Sequence, residues 1–277
     1  MTEHTTLPDP AVVQTLNFEA ILANMKADVL QRYPEAANVL NLESEPLVKL
    51  MEVFAYRELL YRARVNDAAR AHLLAYATGT DLNHLAAMFG LTRQSGESDA
   101  RLRLRVQLRI AALAGQGTKE HYELVALSAS LNVRAAFATQ SAPGRVHVVV
   151  WLHDTALATT AQVVDALNTE HARMLGAVVT VGMATPRPID VYARIWRTAA
   201  ARPQLLADLQ ALLAANLSAT AALGRGVARS WITTLLHVDG VAAVEYVGDT
   251  APPATTVLAA DEYPVLGQVQ LVDMGVL

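Results

Sequence analysis

Residues 44–78 read SEPLVKLMEVFAYRELLYRARVNDAARAHLLAYAT, with neither Gly nor Pro after Pro46. Ser44 offers a hydroxyl to cap free amides, Glu45 an acid for the first turn, and Pro46 sits where no amide donor is needed. The spacing predicts one helix over about 47–78, roughly 45 Å long at 1.5 Å per residue. Leu47, Leu50, Met51, Phe54, Tyr61, Val65 and Ala68 form an apolar seam on it. Arg57, Glu58, Arg62, Asp67 and Arg70 form the opposite, charged face, with Glu58 and Arg62 at i,i+4. A helix this long outgrows a typical globular domain, so it is expected to join a bundle, one shared between chains. Leu47, Leu50, Met51, Phe54, Tyr61 and Val65 are its candidate interface residues.

On the N-terminal side, Asn17 can cap a helix whose apolar positions are Phe18, Ile21, Leu22, Met25 and Val29, ended by Pro34. On the other side, Gly79 is expected to stop the long helix. A short helix with Leu82, Leu85, Ala86 and Phe89 on one face follows, closed by Gly90. The run LRLRVQLRI at 102–110 alternates like a strand, but Ser98, Asp99 and the Ala-rich continuation to Ala114 predict helix. Arg101, Arg105 and Arg109 then share one face, either solvated or open to an acidic partner.

After residue 118 the periodicity changes. A helix over 119–131 leads to strands 133–139 and 145–152, joined by the turn Ser141-Ala142-Pro143-Gly144. A helix over about 159–172 and a strand over 177–183 complete a first module. Strand 189–196, helices 204–217 and 228–236, and strands 241–247 and 269–272 make a second. The fold class is α+β: an N-terminal long-helix domain followed by two small α+β modules with helices packed on short mixed sheets. The expected division is 1–115, 116–185 and 186–277. Gly117, within Gln116-Gly117-Thr118, and the pair Pro186 and Pro188 are hinge candidates.

Composition narrows the function. The 277 residues are 53% hydrophobic and 17% charged, with mean hydropathy +0.25, so the chain can bury a core. Fifty residues are Ala, so much of that hydrophobicity is small side chains. Aromatics, at 5%, are too scarce for a base-stacking platform, and 22 basic against 26 acidic residues leave no basic footprint for nucleic acid. The absence of Cys excludes disulfides, Fe–S clusters and a thiol nucleophile. The first residues show no basic segment followed by an apolar run, and no stretch approaches about 18 uninterrupted apolar residues. A soluble chain made inside the cell, with no membrane span, is expected.

No catalytic, cofactor-binding or metal-binding constellation emerges. His147 and His153 fall on one side of an extended strand with Asp154 adjacent, the only arrangement that suggests a metal or hydrolase site. Gly224-Arg225-Gly226 is neither a P-loop nor a dinucleotide fingerprint, and Ser230 and Thr233 lack a nucleophile-elbow context. His237 is read as helix-terminal. Glu43 and Glu45 fit a helix start better than an acid/base pair. The alternatives to a structural protein are a small-molecule hydrolase using His147 and Asp154, or a helical adaptor.

Several spaced blocks carry a family resemblance. Leu42-Glu43-Ser44-Glu45-Pro46-Leu47-Val48-Lys49-Leu50, Ala55-Tyr56-Arg57-Glu58-Leu59 and Arg64-Val65-Asn66-Asp67-Ala68-Ala69-Arg70-Ala71 resemble the N-terminal signature of the baseplate J-like family of contractile phage tails and R-type tailocins. Gly79-Thr80-Asp81-Leu82, Glu97-Ser98-Asp99 with Arg103, Leu223-Gly224-Arg225 and Leu236-His237-Val238-Asp239-Gly240-Val241 continue it in order. The link 197–203 departs from the Gly/Pro-containing link of such proteins. The resemblance implies a structural baseplate wedge component, made in the bacterial host cytoplasm and ending in the baseplate. It implies as partners a second copy of the chain and a tail protein I-type subunit, joined through a shared helical bundle. It also implies neighbouring wedges in a ring and a sheath initiator of the gene 25-like lysozyme family.

Overall fold

The computed structural model describes residues 11–42, 44–154, 157–248 and 251–277; the reading of Glu43 lies outside them. The chain forms two compact units, 1–106 and 107–277.

The first unit is helical. Helix α1 (Phe18–Arg32) starts as expected at Asn17, whose side chain accepts from the Ala20 amide at 3.0 Å. A 3-10 turn at Pro34–Asn38 leads to α2 (Pro46–Ala71), 26 residues and about 39 Å long. Pro46 occupies its first turn. The N-cap is Glu45, without a side-chain capping bond, so Ser44 does not cap as expected. Helix α2 also ends before the expected residue 78, because the backbone tightens: the Leu73 amide bonds the Arg70 carbonyl and the Tyr76 amide that of Leu73. Gly79, expected as a stop, opens α3 (Gly79–Met88) at φ +53°, a conformation suited to glycine.

One core joins Ile21 and Leu22 of α1 to Val48, Met51 and Ala55 of α2. A second joins Leu82 and Ala86 of α3 to Leu102 and Val106 of α4 (Asp99–Ala111), so 102–110 is helical despite its alternation. Burial at i,i+4 overrides the period-two pattern.

The second unit combines helices and strands. Thr118 caps α5 (Lys119–Ala129), accepting from the His121 amide. Strands β1 (Val133–Ala142) and β2 (Arg145–Leu152) pair antiparallel around Gly144, at φ +70°. Helix α6 (Leu157–Leu167) crosses to β3 (Val178–Met183), parallel to β2. It stops well before the expected 172. One residue, Ala184, separates β3 from β4 (Thr185–Arg197). Helix α7 (Leu205–Thr220), the short β5 (Val227–Ala228), α8 (Arg229–Leu236), β6 (Val241–Glu245), β7 (Thr255–Thr256) and β8 (Glu262–Val276) follow.

The sheet orders are β1-β2-β3 and β6-β4-β8, with β5 and β7 paired apart. Ile189, Val191, Ala193 and Ile195 of β4 pack on Leu205, Leu209, Leu213 and Leu217 of α7, an alternating face against a helical stripe. The whole is α+β, with helices on short mixed sheets. Pro186 and Pro188 lie inside β4, opposite Tyr263 and Pro188's partner Val265 of β8, rather than in a link. Among the described residues β6 pairs with β4 over Arg194–Arg197 alone, which leaves the first half of β4 unpaired on that side, where proline's missing donor is tolerated. The second unit is braced further by Trp151, which stacks on Tyr263 at 4.3 Å between centroids. The Arg134 guanidinium lies 3.9 Å from the Trp151 ring and donates to the Ser218 carbonyl.

Candidate assembly interface

The inward stripe of α2, including Val48, Met51 and Ala55, is spent on α1. Met51, at 5% exposure, belongs to that core, and Leu47 packs beside it. The other seam residues face away: Leu50 is 52% exposed, Phe54 56%, Tyr61 73% and Val65 48%. Val53, Tyr56 and Leu60, which the sequence reading did not single out, are also exposed. Residues 50, 53, 54, 60, 61 and 65 occupy one arc at 100° per residue, roughly opposite Val48 and Ala55. Contiguous exposed apolar side chains of this kind are uncommon on a monomeric surface. Beside it, Met25, Val29, Phe54, Tyr61 and Arg57 line an open groove of about 540 Å³ between α1 and α2.

The arginines of α4 are placed otherwise. Arg105 is buried, its guanidinium 2.8 Å from Glu97 and 3.2 Å from the Thr92 carbonyl. Arg101 lies 3.7 Å from the same carboxylate, and Arg109 is half-buried. A solvated basic face does not describe Arg101 and Arg105, because Glu97 is a buried counter-ion between them. Nearby, Arg93 is 2.6 Å from Asp99. The Gly79 amide and the Arg93 guanidinium hold the Asp99 carboxyl below the usual carboxylate range.

Gly117 stands at φ +87°, and a Cβ there would collide with the Met174 side chain. Proline, fixed near φ −65°, is incompatible with this position, so Gly117→Pro would distort the link rather than stiffen it.

His147 is engaged with the Thr180 hydroxyl at 2.9 Å, and the main chain of Asp154 is tied on both sides to the Asn132 amide. Among the described residues no group of three or more His, Asp or Glu side chains could hold a metal, and no helix is long and apolar enough to cross a membrane.

Residues 43–97 match the Baseplate J-like N-terminal domain, a span that contains all of α2 and α3. Over 97% of this chain and 96% of the relative, the sequence is 35% identical to Baseplate protein J of Escherichia phage P2. The chain belongs to the baseplate J-like family. Membership makes it a structural protein rather than an enzyme, which removes the hydrolase reading of His147 and Asp154. The exposed arc of α2 lies within the span that matches the family's N-terminal domain.

Proposed function

We propose that this structural component of a phage-tail baseplate acts in the wedge of a contractile tail or tailocin-like particle, with α2 as its main assembly surface. The observation that carries the reading is the exposed apolar arc of α2, centred on Phe54 and Tyr61, which among the described residues takes no part in the unit's own core. Family membership supports the baseplate setting.

On this reading a second copy of the chain and a tail protein I-type subunit complete a helical bundle on α2. Two α+β modules, 116–185 and 186–277, link neighbouring wedges into a ring around the hub and receive a sheath initiator of the gene 25-like lysozyme family. Assembly takes place in the bacterial host cytoplasm. A link at Gly117 lets the bodies on either side turn when the tail fires.

The test is Phe54→Asp. Phe54 is exposed, so the free chain should fold normally, whereas in a bundle a charged carboxylate would replace a large apolar contact and have to shed its water. Co-purification with the other baseplate subunits should be lost. Normal assembly of the variant into particles would show that this arc is not an interface.

A further inference from the structure

We infer that the outer edge of β3 pairs with β3 of a second copy of the chain, antiparallel about a twofold axis at Val181. Two three-stranded sheets then become one of six strands. The inference goes beyond the α2 face and needs nothing from it.

The edges of the sheets are not alike. In the orders β1-β2-β3 and β6-β4-β8 the outer strands are β1, β3, β6 and β8. Proteins guard such strands with bulges, prolines and charges, because unpaired amides and carbonyls otherwise recruit another strand. Three of these four are guarded. Against β2, β1 carries an extra residue at Arg134 and another at Ser141. Against β4, β6 carries one at Ala242, and β8 carries two, with Pro264 and Asp273 besides. By contrast β3, VVTVGM, holds its register with β2 unbroken over six pairs and contains neither a charge nor a proline.

Two hydrogen bonds fix the direction of its free groups. The Val178 amide donates to the Gly144 carbonyl at 2.8 Å, and the Ala184 amide to that of Val150 at 2.9 Å. A strand alternates, so its even-numbered residues bond β2, and the amides and carbonyls of Val179, Val181 and Met183 point away from it. Among the described residues no strand meets that side.

This row is its own complement. About a twofold axis at Val181, Val181 meets Val181 of the second copy and Val179 meets its Met183, each pair exchanging two backbone bonds. Their side chains lie on the face that carries the buried Val148 and Val150, so the opposed pairs are apolar on apolar. On the other face Thr180 meets Gly182. The nearest charges along the chain, Arg173 and Arg187, fall outside the paired segment. One isologous contact thus closes both open edges with no like charges opposed, which selects a second copy as the occupant.

Sedimentation and amide hydrogen exchange of the full chain test this, in the Phe54→Asp background so that contact through α2 is out of play. A concentration-dependent dimer is expected. The Val179, Val181 and Met183 amides should exchange more slowly as it forms, whereas that of Val178, bonded to Gly144, is slow throughout. Val181→Pro removes an amide that points away from β2, so it spares the β2–β3 ladder and should weaken the dimer about tenfold or more. Thr180→Lys, at an exposed position beside the axis, sets like charges across it and should also weaken the dimer. It decides the matter if the proline variant fails to fold. The proposal is overturned by a chain that stays monomeric or by a dimer indifferent to both substitutions. Protection of these amides by a different baseplate subunit instead of a second copy overturns it too.

Discussion

Glu97 and Arg105 form an ion pair at 2.8 Å in which the carboxylate side chain is fully shielded and the guanidinium is 6% exposed. The Gln94 amide donates to the same carboxylate at 2.9 Å, and the Thr92 carbonyl accepts from Arg105, so the loop before α4 is fastened to the helix by matched polar groups. Removing one partner strands the other. Glu97→Ala or Arg105→Ala should each destabilise the protein by about 3–5 kcal/mol in urea unfolding. The triple change Glu97→Leu/Arg101→Leu/Arg105→Met should cost less than Glu97→Ala, since no charge of this cluster is then left buried.

Glu123 gives a pH dependence. Burial pushes its carboxyl above the usual value, against opposing contributions from the Ala138 amide at 3.1 Å and from Lys119 at 3.6 Å. The native state therefore binds this proton more tightly than the unfolded chain does. Its contribution is present at pH below the ordinary carboxylate value and is lost as pH rises through the raised native value. Glu123→Gln keeps an acceptor for the Ala138 amide and removes the charge. The variant should be more stable than the parent at neutral pH, with the advantage fading towards about pH 4. Urea midpoints across that range test it; an advantage independent of pH would contradict the assignment.

Trp151 is sandwiched between the Tyr263 ring and the Arg134 guanidinium and is nearly buried. Trp151→Ala should cost about 3–5 kcal/mol, and Trp151→Phe, which retains a ring against Tyr263, markedly less. Guanidinium unfolding followed by circular dichroism separates the two. Equal losses would mean that a phenyl ring recovers neither the buried volume nor the stacking, and that the indole itself is required.

Much of this architecture is legible in the sequence because its signals are local. Asn17 and Pro46 open helices in the structure, and the run Val146–Leu152 is a strand. What the sequence conceals depends on partners distant along the chain. Helix α2 carries more than one apolar arc, and periodicity alone cannot say which one α1 covers; hence Met51 and Phe54 are read on one seam although they part company in the fold. Arg105 reads as a surface charge until Glu97 is seen beneath it. Pro186 and Pro188 read as hinge candidates, yet they sit in a strand paired with β8, some 75 residues later. Phe54 and Tyr61 are named from the sequence; that they face away from the core is a fact of the fold.

Gly117 and Met174 make the last prediction. At φ +87° any L side chain is strained by about 1–2 kcal/mol, and the Met174 thioether occupies the space a Cβ would need. Gly117→Ala therefore carries two penalties, one in the backbone and one in packing, the latter typically about 1–3 kcal/mol. Met174 is about half exposed, so Met174→Ala alone should be mild. In the double variant Gly117→Ala/Met174→Ala the packing penalty disappears and the backbone strain stays. Gly117→Ala should thus cost less in the Met174→Ala background than in the parent, a coupling read from a double-mutant cycle of urea unfolding. An identical cost in both backgrounds would show that Met174 does not lie over this glycine, and that the glycine is required for its backbone conformation alone.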